Sequence, residues 1–135
     1  MFQSRRIETR ELGRLGENRA VWYLRVRGYS ILERNVRTKL GEIDVVARRG
    51  NIVAFIEVKT RQSRAAGEPH SAVDRPKQLR IARLAGDYVM RNRIEGCSIR
   101  FDVISVFWTG RRFAVTHYPD AFRPMADPDR PWLMK

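Results

Sequence analysis

A single cysteine, Cys97, occurs in the 135-residue chain, which excludes an intrachain disulfide and a thiolate metal cluster. Histidine is nearly as scarce: His70 and His117 stand far apart without metal-ligand spacing, and each reads as a surface or packing residue. No apolar run is long enough to span a bilayer, and no lipidation motif is present. The N-terminal MFQSRRIETREL is charged where a secretory signal would be apolar. These absences point to a cytoplasmic protein with no membrane partner. Internal repeats are lacking too, and the length suits one domain with its own core. Acids are outnumbered, 15 Asp and Glu against 27 Lys and Arg, giving a formal charge of +12. Such an excess calls for a polyanionic partner, most simply nucleic acid. With 43% hydrophobic residues the composition is globular rather than disordered.

What is present is concentrated in Leu40 to Arg61, LGEIDVVARRGNIVAFIEVKTR. Two apolar runs, Ile43–Ala47 and Ile52–Val58, flank a Gly50-Asn51 pair, a strong signal for a two-residue hairpin turn. In that register Asp44 lies opposite Glu57 and Glu42 opposite Lys59. A four-residue loop would make Asp44 and Glu57 diagonal neighbours and leave the faces unchanged. Side chains alternate along a strand, so Glu42, Asp44, Glu57 and Lys59 share one face with Val46, Val53 and Phe55. Opposed like charges destabilise a sheet. Two readings follow: a hard divalent cation lies between the carboxylates with Lys59 beside it, or Glu42 pairs with Lys59 on a solvated face.

Around this hairpin the chain reads as a basic arm (1–12), one domain (13–118) and a Pro-rich tail (119–135). Helical spacing over Gly13–Arg27 places Glu17 in line with Ala20, Val21 and Leu24, so a carboxylate points toward the core side and needs a partner. Gly28 ends that helix. Tyr29–Val36 reads as a strand. Gln62–His70 reads as a mobile loop, and Arg61 just before it and Arg64 within it are candidate phosphate contacts. Asp74 is an acceptable N-cap for a helix running to about Asn92, with Pro76 in its first turn and a stripe of Ile81, Leu84, Ala85 and Tyr88. Lys77 and Gln78 border that stripe, within reach of the acidic site if the helix packs beside the hairpin. Ser98–Trp108 and Phe113–Tyr118 read as strands joined at Gly110, with Asp102 in a structural salt bridge. Phe122 and Trp132 are the tail's packing candidates.

Asp44 followed 13 residues later by Glu57-Val58-Lys59 matches the D-(x)n-E-x-K pattern of the PD-(D/E)XK nuclease superfamily. G-x-x-G-E at Gly13–Glu17, GEIDVVA at Gly41–Ala47, FIEVKTR at Phe55–Arg61, AVD-x-x-KQ at Ala72–Gln78 and RFDV at Arg100–Val103 resemble the YraN-type family. Those are small bacterial proteins similar to archaeal Holliday-junction resolvases. The resemblance spans Gly13 to Phe107 and implies an α/β fold with a restriction-endonuclease-like α-β-β-β-α-β core, a mixed sheet flanked by helices. It implies Asp44 and Glu57 as ligands of Mg²⁺ or Mn²⁺, with the Val58 carbonyl a third. Glu17 would complete the metal shell directly or through water, Lys59 would orient the attacking water, and Gln78 would support the site. Ile43, rather than proline, precedes Asp44. The activity implied is endonucleolytic hydrolysis of DNA, including branched or repair intermediates. A homodimer is implied as well, since cutting paired strands needs two sites.

Chemistry makes the assignment coherent. A phosphodiester resists attack by hydroxide, so a metal must polarise it and acidify a water, and carboxylates are the hard oxygen donors such a metal takes. The basic surface supplies sequence-independent, salt-dependent attraction to phosphates. No helix presents an obvious base-reading face, which favours structure-selective or non-specific contact. Two other readings use the same features: a non-catalytic nucleic-acid-binding protein on the same fold, and a basic interaction domain serving a membrane or protein machine.

Overall fold

Asp74 accepts the Lys77 N–H at 3.0 Å and starts the second helix; the first begins earlier than helical spacing suggests. Glu8 accepts from Arg10 N–H and Glu11 N–H at 3.1 and 3.2 Å, so α1 runs Thr9–Val26, and Thr9 to Leu12 belong to it rather than to a basic arm. Leu12 is buried within it. Its end is as expected: Gly28 adopts φ +89 and Tyr29 N–H reaches back to Leu24 O at 3.0 Å. The remaining elements are β1 (Ser30–Thr38), β2 (Gly41–Arg49), β3 (Ile52–Arg61), α2 (Arg75–Arg91), β4 (Ser98–Trp108) and β5 (Phe113–Tyr118). This computed structural model describes residues 6–62 and 73–124. Arg64, His70 and Trp132, with nearly all of the 62–70 loop and the tail beyond 124, lie outside the described residues.

The five strands form one mixed sheet in the order β1-β2-β3-β4-β5, in which β3 and β4 are parallel and the other neighbours antiparallel. The fold is thus α/β. The β3–β4 pair is parallel because α2 provides the crossover between them. Alternation along β3 then divides the core. Ala54 and Ile56 face α1 through Ala20, Val21 and Leu24, whereas Val53 and Phe55 face α2 through Ile81, Leu84, Ala85 and Tyr88. Phe122 joins the α2 side, stacked on Phe101 with centroids 5.5 Å apart.

On the opposite face Asp102 is fully buried between β4, β5 and the chain that follows. It accepts Arg100 Nε on Oδ1 and Nη2 on Oδ2, both at 2.8 Å, and Asp120 N–H at 2.9 Å, and its Oδ2 lies 2.8 Å from His117 Nε2. Arg100 also donates to Tyr29 OH at 2.6 Å, tying the end of α1 to this network. The salt bridge expected of Asp102 is therefore present, and His117 is a packing residue between Tyr23 and Tyr29.

Close approach of α1 to β3 depends on Gly16. A methyl group there would collide with the Oγ1, Cγ2 and Cβ atoms of Thr60, whereas one on Gly13 would meet nothing. Gly16→Ala is accordingly expected to lower the unfolding free energy by about 1–3 kcal/mol through overpacking. Gly13→Ala is expected to be neutral or to stabilise by up to about 1 kcal/mol through helix propensity. Urea denaturation of the two variants separates these outcomes, and equal effects would refute the close-approach argument.

Candidate functional site where two strands part

The hairpin has the two-residue register: Arg49 pairs with Ile52, and pairing continues through Val45 and Ile56. Gly50 takes φ +60 at the first turn position, as a type II′ turn requires. The next pair in that register, Asp44 with Glu57, does not form. β2 continues against β1 alone, and β3 continues against β4 alone out to Arg61 and Phe107. Asp44 Oδ2 instead accepts the Val58 N–H at 2.8 Å. Two facing carboxylates inside a ladder repel, and one of them here takes the main-chain donor freed by the separation.

A kink reinforces the parting. The β1–β2 register brackets Asn35 against Asp44, and Asn35 has φ 54, a left-handed conformation that asparagine tolerates better than most residues. Alternation breaks there: Val45 and Ala47 face α1, yet Ile43 joins Val46 on the α2 side. Asn35 Nδ2 and the Arg34 guanidinium then hold Glu17, with three hydrogen bonds of 3.1–3.2 Å all landing on Oε1. The partner required by a core-directed Glu17 is thus Arg34 with Asn35. Nothing in a strand-like run marks Asn35; only its pairing opposite Asp44 reveals it.

Asp44 lines hollows on both sides of the parting. One, of about 400 Å³, is shared with Glu17, Asn35, Val58, Lys59 and Thr60 beneath α1. The other, of about 220 Å³, is shared with Glu57, Lys77, Arg80 and Ile81 beneath α2. Glu57 Oε1 meets two ammonium groups, Lys77 Nζ at 2.7 Å and Lys59 Nζ at 3.2 Å. Glu42 pairs with Arg37 at 2.6 Å rather than with Lys59, so the solvated Glu42–Lys59 pair is not the arrangement adopted. Gln78 donates to Val73 O at 3.0 Å, next to the start of its own helix, and Lys77 is the residue of that turn that reaches the acids.

Burial, then the charge of Glu57, pushes the Asp44 carboxyl up from 3.8 to about 7, with the Val58 N–H pulling the other way. Burial draws the Lys77 ammonium down, but the bond and charge of Glu57 more than reverse this. Asp44 is therefore a carboxylate short of positive charge, while Glu57 is supplied by two lysines. Among the described residues no three Asp, Glu, His or Cys side chains converge on one point as a closed metal cage. The donors suit a different kind of site: Mg²⁺ keeps several waters and is held by one or two carboxylates, which Asp44 and Glu57 provide.

Residues 16–106 match the family described as Uncharacterised protein family UPF0102. A UPF0102 protein of Caldicellulosiruptor saccharolyticus is 47% identical over 98 residues, covering 73% of this chain and 83% of that relative. Others from Alkaliphilus oremlandii and Syntrophotalea carbinolica are 43% and 46% identical, covering 84% and 82% of this chain and 98% and 90% of theirs. The chain belongs to the UPF0102 family. The matched UPF0102 segment takes in Glu17, Asn35, Asp44, Glu57, Lys59 and Lys77, so the whole of the parting lies inside it. Among the described residues of this UPF0102 chain no helix is long and apolar enough to cross a membrane.

Proposed function

We propose that this protein is a metal-dependent endonuclease of the PD-(D/E)XK type, hydrolysing phosphodiester bonds of DNA, with branched or repair intermediates as its substrate class. The observation carrying the reading is Asp44: a half-buried carboxyl pushed up to about 7 beside Glu57, opening on two hollows, one lined by Lys59 and the other by Lys77. A divalent cation bound there, Mg²⁺ or Mn²⁺, supplies a Lewis acid for the phosphoryl oxygen and lowers the pKa of a water. Asp44 and Glu57 offer it hard oxygens, and the carbonyl of Val58, a residue that lines the hollow beneath α1 together with Asp44, would be a further donor. Glu17, anchored through Oε1 by Arg34 and Asn35, would complete the metal shell from the α1 side, directly or through a water. Lys59 orients the attacking water and offsets charge developing on the phosphate. Gln78 fixes the start of α2 and, through it, Lys77. The +12 charge draws the backbone in, so affinity falls steeply with salt. A homodimer working in the cytoplasm would present two such sites to paired strands.

One observation favours a second reading, nucleic-acid binding without cleavage. Lys77 and Lys59 already neutralise Glu57, as suits a basic surface that needs no metal. Incubating labelled duplex, single-stranded and four-way-junction DNA, and RNA, with Mg²⁺, Mn²⁺ or chelator distinguishes them. Cleavage requiring the cation is expected, falling by about 10²-fold or more in Asp44→Asn and Lys59→Ala with DNA binding retained. Binding without cleavage, or cleavage indifferent to both substitutions, would overturn the endonuclease reading.

A further inference from the structure

Glu57 makes a closer ion pair with a residue from another element than with its own strand neighbour. Lys77 Nζ, from the first turn of α2, lies 2.7 Å from Oε1, while Lys59 Nζ, two residues along β3, lies 3.2 Å from the same oxygen. With both acids ionised, Asp44, Glu57, Lys59 and Lys77 together carry no net charge. A divalent cation entering this half-buried cluster would add two positive charges to it, at a cost that grows as water is excluded. One ammonium must therefore leave. Lys59 is confined to the strand that carries Glu57 and lines the hollow beneath α1. Lys77 sits on a surface helix, its side chain 30% exposed, and lines the hollow beneath α2 together with Arg80.

We infer that Lys77 is an exchangeable counter-ion: it holds Glu57 in the metal-free protein, yields that oxygen to the divalent cation, and then turns beside Arg80 to bind a phosphate of the nucleic-acid strand. The inference rests on the proposed metal site and adds a coupling to it. Cation entry frees a phosphate-binding charge, and by reciprocity a bound strand that captures Lys77 favours cation entry. The four-carbon stem and strongly hydrated ammonium of lysine suit such a change of partner better than the planar fork of arginine.

Calorimetric titration with Mn²⁺ alone tests the first half. Lys77→Met and Lys77→Gln are expected to bind Mn²⁺ about tenfold more tightly than the wild type, the weight of one charge-assisted hydrogen bond no longer broken. Lys77→Arg is expected to bind no more tightly than the wild type, because its bidentate pairing competes at least as well. Unchanged or weaker binding in both neutral variants would overturn the exchange while leaving the metal site standing. Absence of Mn²⁺ binding in every protein would remove the metal site, and the exchange with it. The second half is read with Lys59 intact, at varied salt, on a fluorescein-labelled duplex whose linkages are phosphorothioates, which keep the backbone charge and resist cleavage. Lys77→Met should leave the salt slope unchanged in chelator and reduce it by about one with Mn²⁺. A reduction already present in chelator, or none with Mn²⁺, would overturn the transfer of Lys77 to phosphate.

Discussion

Asp102→Ala is expected to lower the unfolding free energy by about 3–5 kcal/mol, the scale for removing one partner of a buried ion pair. The substitution strips a fully buried carboxylate of four contacts at once: both arms of Arg100, His117 Nε2 and the Asp120 N–H. Arg100, with a side chain only 16% exposed, would keep Tyr29 OH as its described partner, too little for a desolvated guanidinium. Asp102→Asn should cost less, since an amide oxygen still accepts from one neighbour. Burial alone would raise the Asp102 carboxyl, yet His117, Arg100 and the Asp120 N–H together hold it below 3.8. A lowered native pKa gives stability that is present above the ordinary carboxylate value and lost as pH falls through the native one. The gap between wild type and Asp102→Ala should therefore be full at neutral pH and close below about pH 4. Urea denaturation across that range measures it; a neutral-pH loss under about 1 kcal/mol would mean that the network contributes little.

This network also shows which parts of the fold are readable from residues alone. The salt bridge of Asp102 follows from a lone acid in an apolar strand, because a buried charge must find a partner, but the identity of three partners from three segments does not. Likewise both ends of α2 follow from local chemistry: Asp74 caps it and Asn92 closes it. The start of α1 does not, since glutamate is a weak N-cap signal and Glu8 acts as one only because its carboxylate folds back on two N–H groups. The hairpin register follows from Gly50, which supplies the positive φ that a two-residue turn needs. Continuing that register to Asp44 and Glu57 assumes an uninterrupted ladder. β3 has a second neighbour, and its last residues pair with β4 instead, which no argument confined to the hairpin contains. Lys77 is a similar case. Helical spacing puts it and Gln78 at the margin of one stripe, and only the placement of α2 over β2 and β3 decides that the lysine spans the distance.

The stability gained by Asp44→Asn should grow with pH and shrink with cation, and so reports on the site without any substrate. The native carboxyl is pushed up to about 7 from 3.8. A raised native pKa means that the folded protein holds this proton more tightly than the unfolded chain. The associated stability is fully present below the unfolded value and lost as pH rises through about 7. Asparagine imitates the protonated acid, and its amide oxygen can still accept the Val58 N–H. In chelator the two proteins should be nearly equal in acid below the ordinary carboxylate value. Above neutrality Asp44→Asn should be the more stable, with a ceiling of about 4 kcal/mol at about 1.4 kcal/mol per tenfold of proton affinity. Adding Mn²⁺ at about a hundred times its dissociation constant should restore the wild type by about 2.7 kcal/mol and leave the variant unmoved. Thermal melts at several pH values, with and without Mn²⁺, give all of these quantities. A difference flat in pH, with no effect of the cation, would mean that Lys59 and Lys77 already satisfy the acid pair. The parting of β2 and β3 would then be a basic binding surface with internal counter-ions, and the charge missing at Asp44 would no longer argue for a metal.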